Sequence, residues 1–271
     1  MKDVLGSYDL GVSVLRIVSD RLREGASMDD GGRPVVYEQM VDSPPAWVAD
    51  LPRDSSGLVD GQLGLNYAGW HAAVDLAGGR GTLWLPKAEF LDNHLKTMAQ
   101  ILPLVQRKGV AIHSSSFVLE GRAVVLAAPA GTGKTTALLR ASAHGAHVLS
   151  EDLTVIGDLD GRPSVYTTAL KNDCGIDPQQ GRAPLARVYG LRRGRRDRVS
   201  RLAPGEAVRE LVDNIAIGTR QPPLVAEALR CASLLVDNPG VRRLDCTLDG
   251  PFWEAIEEDL ADDDRLATEA P

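Results

Sequence analysis

Val124-Val125-Leu126-Ala127-Ala128-Pro129-Ala130-Gly131-Thr132-Gly133-Lys134-Thr135-Thr136 changes character twice along its length. Val124 to Ala128 is an apolar run that reads as a buried strand. Gly131 and Gly133 follow, and Lys134-Thr135 opens a helical stretch that continues through Ala137-Leu138-Leu139-Arg140-Ala141. Strand, glycine loop and helix in that order give the context a phosphate-binding loop needs. Glycines let backbone N–H groups close around an anion with no Cβ in the way. The helix behind them aims its unpaired N–H groups, and roughly half a positive charge, at the same place. Lys134 then reaches the outer phosphates, and the Thr135 hydroxyl is placed to ligate the magnesium that accompanies a nucleotide. The expected nucleotide-binding residues are Ala130, Gly131, Thr132, Gly133, Lys134, Thr135 and Thr136. The full pattern G-x-x-x-x-G-K-[ST] begins with a glycine where this chain has Ala128, which fits as long as its φ stays negative. The competing reading is a chance Gly-x-Gly-Lys-Thr in an ordinary turn.

The bulk numbers bound the rest. A chain of 271 residues makes one large domain or two small ones. Its 44% apolar content is that of a globular protein with a real core. A net charge of -7 argues against nucleic-acid binding by bulk electrostatics. Much of the excess acid sits near the end, in Glu257-Glu258-Asp259 and Asp262-Asp263-Asp264. Cys174, Cys231 and Cys246 lie far apart without metal-ligand spacing, as reduced thiols do. Met1-Lys2-Asp3-Val4 begins no secretory signal, and no run approaches the ~20 apolar residues of a membrane helix. The expectation is a soluble cytoplasmic protein with neither membrane nor nucleic acid as partner.

Residues 1–85 read as a small β-rich lobe, an antiparallel sheet of modest strands. Val12, Val14 and Leu15 suit a strand or a short helix. Asp29-Asp30-Gly31-Gly32 is a turn into Val35-Val36-Tyr37; Pro44-Pro45 and Asp54-Ser55-Ser56-Gly57 mark loops. Leu63, Leu65 and Tyr67 alternate, as do Ala72, Val74 and Leu76. Gly78-Gly79-Arg80-Gly81 then turns into Thr82-Leu83-Trp84-Leu85. Residues 86–109 read as a connecting helix, opened by Pro86, with Phe90, Leu91, Leu95, Met98, Leu102 and Val105 on one face. Pro103 is expected to kink or end it.

From 110 to 260 the pattern is α/β. Val110 to Leu119 and the strand at Val124 form a hairpin through Glu120-Gly121, with His113 on its first arm. A lone strand histidine is usually a satisfied structural residue. His144-Gly145 caps the first helix. A second strand, His147 to Ile156, carries Glu151-Asp152 at its centre. Asp160-Gly161 turns it into Ser164 to Thr168. Residues 169–184 form a polar loop, either a substrate lid or plain surface. Pro184 to Leu191 is a strand. The arginines that follow it, Arg192, Arg193, Arg195, Arg196 and Arg198, are a solvated hairpin tip or a contact for phosphate or an acidic substrate. Helices cover Leu202 to Val212, Val225 to Val236 and Pro251 to Leu260, with a strand from Val241 to Leu248. The acidic tail, 261–271, is expected to be disordered.

In a βαβ unit the strand of Glu151-Asp152 lies beside the loop strand, with its acids aimed at magnesium and phosphate. Adjacent acids in an apolar strand are costly to bury without a cation. One acid would hold magnesium. The other would accept the proton of an attacking hydroxyl, as a kinase requires of its base. The alternative is an exposed strand end with two solvated carboxylates.

Ile112-His113, Gly121 to Leu126, Gly131-Thr132-Gly133-Lys134-Thr135, Gly145 and Leu149-Ser150-Glu151-Asp152 together resemble the catalytic domain of HPr kinase/phosphorylase. The resemblance extends to HPr-kinase-like serine kinases of peptide-modification gene clusters, such as lasso-peptide kinases. It does so through Pro184-Leu185-Ala186 and Leu202-Ala203-Pro204-Gly205-Glu206-Ala207, and it covers roughly residues 105–260. It implies the phosphate-loop fold shared by HPr kinase and phosphoenolpyruvate carboxykinase. The reaction it implies is ATP- and magnesium-dependent phosphorylation of a serine hydroxyl, and it points to a homo-oligomer. Glu151 falls on the family's catalytic base, Asp152 on its second acid and metal ligand, and His113 on a histidine beside the active site. The chain departs from the family at Ala128, at Glu151 in place of aspartate, and in lacking Glu-Ile-Arg-Gly after the second strand. Phosphorylase activity and HPr as acceptor are therefore not implied. Lys171 or an arginine of the 192–198 cluster is a candidate for the missing charge. The catalytic set expected is Glu151, Asp152, Lys134 and His113, with Thr135 and Asp152 on the metal. A kinase for a small hydroxylated metabolite and a nucleotide-binding regulatory module without transfer are the other readings.

Overall fold

The structure, a computed structural model, describes residues 6–18, 35–67, 69–75, 77, 79–168, 170, 174–178, 181–247 and 249–269. The expected turn at Asp29-Asp30-Gly31-Gly32, Leu76 and Gly78, and Lys171 with its neighbours Asn172 and Asp173 lie outside the described residues. The chain divides into two compact units. The first gathers Met1–Ala111, Thr168–Lys171 and Ile217–Ala228; the second gathers Ile112–Thr167, Asn172–Ala216 and Leu229–Pro271.

The first unit contains strands β1 (Gly6–Asp9), β2 (Val14–Val18) and β3 (Val35–Met40), then a short helix α1 (Ala46–Ala49). Strands β4 (Ser55–Val59), β5 (Gln62–Tyr67), β6 (Trp70–Asp75) and β7 (Arg80–Trp84) follow, and then helix α2 (Leu91–Val105). The strands make one sheet in the order β1-β2-β3-β7-β6-β5-β4. The expected antiparallel sheet is a mixed one, because β2 pairs β3 and β3 pairs β7 in parallel. Parallel neighbours need a long connection, and residues 19–34 and 41–79 supply it. Val14, Leu15 and Ile17 are buried on β2, which settles strand over helix there. On α2, Leu95, Met98 and Leu102 of the expected stripe are buried, with Ala99 and Ile101 beside them, while Phe90, Leu91 and Val105 are only partly buried. Helix α2 runs two residues past Pro103, to Val105, and the chain leaves it where Arg107 turns to φ 53.

A fully buried pair of ionisable side chains lies inside this unit. His94 Nε2 of α2 meets Glu38 Oε2 of β3 at 2.5 Å, both side chains 0% exposed, and the Trp70 ring stands edge-on to the imidazole. Glu38→Gln keeps the shape but removes the charge assistance from this bond. We expect it to lower stability by about 1–3 kcal/mol, read from the urea midpoint.

The second unit begins in β8 (Gly109–Leu119) and continues through β9 (Arg122–Ala127), α3 (Lys134–Ala143), β10 (His147–Ser150), β11 (Leu153–Gly157) and β12 (Ser164–Tyr166). Then come β13 (Arg182–Arg193), β14 (Arg198–Arg201), α4 (Pro204–Val212), β15 (Ile215–Ala216), α5 (Pro222–Asp237), β16 (Val241–Cys246) and α6 (Phe252–Glu269). The β8–β9 hairpin turns on Glu120 (φ 49) and Gly121 (φ 76), the left-handed pair that a two-residue hairpin favours. Strand β9 is antiparallel to β8 on one side and parallel to β13 on the other. The path β8-β11-β12-β13 closes back through β9, so these five strands form a ring. The run Ala123–Ala128 is fully buried, which is why it reads as unbroken apolar sequence. Val124, Leu126 and Ala128 share a core with Ala137, Leu138 and Ala141 of α3 and Phe252, Ile256 and Leu260 of α6.

Helix α6 continues past Leu260, where the sequence reading ends it, to Glu269. No glycine or proline interrupts residues 261–269, and Arg265 meets Asp262 one turn back at 3.5 Å. Its Asp259 belongs to the interior rather than to a solvated acidic run. Tyr189 on β13 donates to Asp259 Oδ2 at 2.9 Å, and Arg187 and Arg242 approach the carboxylate at 3.5 and 3.6 Å. Burial, followed by the charge of Asp259, pushes the Tyr189 phenol far up from its ordinary value.

Candidate active site

Everything at the site hangs from the end of β9. After Ala128 the chain turns through Gly131 (φ 78) and Gly133 (φ 117), both in the left-handed region, and Gly133 caps α3. A side chain at either would strain the loop whatever space surrounds it. Ala128 keeps a negative φ, the condition under which alanine serves at the loop's first position. Thr132 Oγ1 donates back to Pro129 O at 2.9 Å, so Thr132 braces the loop and is not part of the cavity lining. Helix geometry leaves the N–H groups of the first turn of α3 without intrahelical acceptors, all at the loop.

Lys134 is only 7% exposed. Its ammonium lies 2.6 Å from Ala128 O, 3.2 Å from Pro129 O and 3.1 Å from His113 Nε2, which occupies its three donors. An ammonium only donates, so Nε2 is the accepting nitrogen and the ring proton is assigned to Nδ1. Nδ1 faces Asp152, 3.1 Å from its backbone O and 3.2 Å from Oδ1. Burial pulls the Lys134 pKa below the usual lysine range, and the Asp152 charge partly restores it.

The acids do not sit where a simple βαβ unit puts them. Glu151 and Asp152 fall in the break between β10 and β11, not at the centre of one strand. Nor do those strands lie beside β9, because β8 stands between. The break is held from β8: Ser114 N donates to Asp152 O at 3.2 Å and Ser115 Oγ to Glu151 O at 2.9 Å. Ser150 Oγ closes it by donating to Leu153 O at 2.7 Å. The Glu151 residue is 8% exposed, and its Oε2 accepts the backbone N–H of Cys174 at 2.7 Å. The Asp152 side chain, 54% exposed, stands toward solvent.

These groups share one cavity of about 450 Å³. Its walls are the loop from Ala130 to Thr136 apart from Thr132, together with His113, Glu151, Asp152 and Arg193. His113, Lys134, Thr135, Glu151 and Asp152 are thus brought together. Sequence reasoning missed the Cys174 N–H on Glu151, which no side-chain pattern announces. It also left Arg193 undistinguished within its cluster, although the arginine's position at the end of a strand was the available signal. Arg193 Nε and Nη2 donate to Thr132 O and Gly131 O at 3.1 and 3.0 Å.

A hydrated magnesium ion asks for only one or two protein oxygens beside phosphate. The Thr135 hydroxyl and the Asp152 carboxylate, both on the cavity wall, are a donor set that fits it. No family model matches the chain, and no curated protein matches it. Among solved structures the chain is similar to the Hpr(Ser) kinase/phosphatase from Coxiella burnetii. The identity is 11%, the match covers 59% of this chain and 99% of that one, and the TM-score is 0.30. Among the described residues no helix is long and apolar enough to cross a membrane.

Proposed function

We propose that this chain is a cytoplasmic ATP-dependent phosphotransferase that moves the γ-phosphoryl group to a serine hydroxyl of a peptide or small protein. The observation that carries the reading is the meeting of Lys134, His113 and the Glu151-Asp152 pair in one cavity at the mouth of the glycine loop. The loop N–H groups and the head of α3 bind the phosphates. Lys134 turns from the carbonyls of Ala128 and Pro129 to the outer phosphates when they arrive. Thr135 and Asp152 would hold the magnesium ion, which supplies charge neutralisation at the phosphates. Glu151 accepts the proton of the acceptor hydroxyl as oxygen bonds to phosphorus, and ADP leaves.

A second assignment of the base is favoured by the contact of His113 Nδ1 with Asp152 Oδ1. There the imidazole takes the proton on Nε2 once Lys134 has moved to phosphate, and Asp152 steadies the cation formed.

The test is incubation with γ-labelled ATP, magnesium and a library of serine peptides and small proteins, read by mass spectrometry for phosphoserine. Lys134→Ala is the blank. Label on a small hydroxylated metabolite instead would favour a metabolite kinase. ATP binding without any labelled acceptor would favour a regulatory module.

The lowered Lys134 pKa gives a pH signature. The ammonium is lost at a lower pH than in an ordinary lysine, so ATP affinity declines as pH rises toward that range. Bound phosphate favours the protonated form, so binding takes up a proton there. Lys134→Arg stays charged and holds its affinity flat over the same range. Titration calorimetry at several pH values and in buffers of different ionisation enthalpy reads both effects. A wild-type affinity independent of pH to the ordinary lysine range would refute the role.

A further inference from the structure

The arginine that reaches over the loop carries a further assignment. Arg193 ends β13, the strand that pairs with β9 from Leu185↔Ala123 to Gly190↔Ala127. Pairing in parallel, the two strands run out at the same end of the sheet, so the last residues of β13 arrive where the glycine loop begins. Arg192 turns to Glu210 at 2.8 Å, and Arg198 to Asp245 at 3.5 Å. Arg193 instead spends its Nε–Nη2 edge on two neutral carbonyls, Thr132 O and Gly131 O. Its charge is therefore not cancelled by those contacts. A guanidinium has a second edge, Nη1–Nη2, that presents two parallel N–H groups. Among the described residues that edge of Arg193 carries no hydrogen bond, and the residue lines the cavity.

We propose that Arg193 is a catalytic residue of the transfer reaction, using this second edge to hold the γ-phosphoryl group while it passes from ADP to the acceptor oxygen. The assignment rests on the phosphotransferase reading above. In the step, the acceptor oxygen–phosphorus bond forms and the bond from phosphorus to the β-bridging oxygen breaks. The hydroxyl proton goes to the base, the bond electrons go to ADP, and Arg193 exchanges no proton. Charge on the equatorial and bridging oxygens meets a fork whose orientation is already fixed by the loop. Donors pre-aimed at developing charge favour the transition state over the bound substrate. The carbonyl contacts serve that aim: the loop that grips the phosphates also sets the angle of the guanidinium.

The test compares ligands that differ only at the transferred group. ADP, a non-hydrolysable ATP analogue, and ADP with magnesium and aluminium fluoride are titrated into wild type, Arg193→Gln, Arg193→Lys and, as a control, Arg195→Gln. The fluoride complex imitates the planar phosphoryl group in flight. For Arg193→Gln we expect roughly 100-fold weaker binding of that complex, with ADP and analogue affinities changed by no more than about threefold. Arg193→Lys keeps the charge without the fork and falls between. Arg195→Gln behaves as wild type. Equal losses for all three ligands would make Arg193 a fastener of the loop and overturn the proposal, and so would no loss for any. Failure of the wild type to bind ADP at all would instead strike the phosphotransferase reading.

Discussion

On the proposed phosphotransferase function, Glu151→Gln is expected to slow phosphoryl transfer by about 10²–10⁴-fold while leaving ATP affinity within about threefold of wild type. Glutamine keeps an oxygen to accept the Cys174 N–H, so the segment hung from Oε2 stays in place. What the substitution removes is the capacity to take a proton. Single-turnover kinetics after rapid mixing isolate that step from product release. Asp152→Asn is the companion measurement. If Asp152 serves the metal, its loss raises the magnesium concentration needed for half-maximal rate, which Glu151→Gln does not. If Asp152 steadies a histidine base, Asp152→Asn and His113→Gln each slow transfer as much as Glu151→Gln was expected to. A Glu151→Gln enzyme that turns over at the wild-type rate would end its candidacy as base.

Asp259→Ala lowers stability by about 3 kcal/mol, the lower end for breaking a buried charge pair because the carboxylate keeps some exposure to solvent. It removes the acceptor of the Tyr189 hydroxyl and the counter-charge shared by Arg187 and Arg242. Burial, and then the charge of Arg187, already hold the Arg242 pKa below its ordinary value. Without the carboxylate the two guanidiniums stand beside each other as like charges. The loss is read from chemical denaturation followed by far-ultraviolet circular dichroism. Asp259→Asn, which still accepts the phenol, is expected to recover part of it. A change below about 1 kcal/mol for the alanine variant, the scale of surface substitutions, would show that the cluster contributes little.

Local chemistry decided what could be read from the sequence. The order of β9, glycine loop and α3 was legible because each signal lies within a few residues: unbroken apolar sequence, two glycines that take positive φ, and a helical stripe. The turn at Glu120-Gly121 and the cap at Gly145 were legible for the same reason. The neighbours of β9 were not. That β8 stands between the loop strand and the acids depends on pairings between distant segments, which no local pattern encodes. The mixed sheet of the first unit escaped for the same cause. Glu151-Asp152 was visible as chemistry, but the break that presents it is made by serines on β8 whose role appears only in space. The role of Asp259 was not legible either: in sequence it is one acid among several near the end, and the arginines that claim it lie on two other strands.

The five-strand ring has a consequence for how the protein behaves in company. An apolar strand with a vacant flank is an invitation to another chain, and recruitment along such a flank is how many proteins clump. β9, which carries the loop, has both flanks taken by its own molecule. Self-association by strand addition is therefore closed at β9, and the glycine loop at its end has no open strand edge behind it.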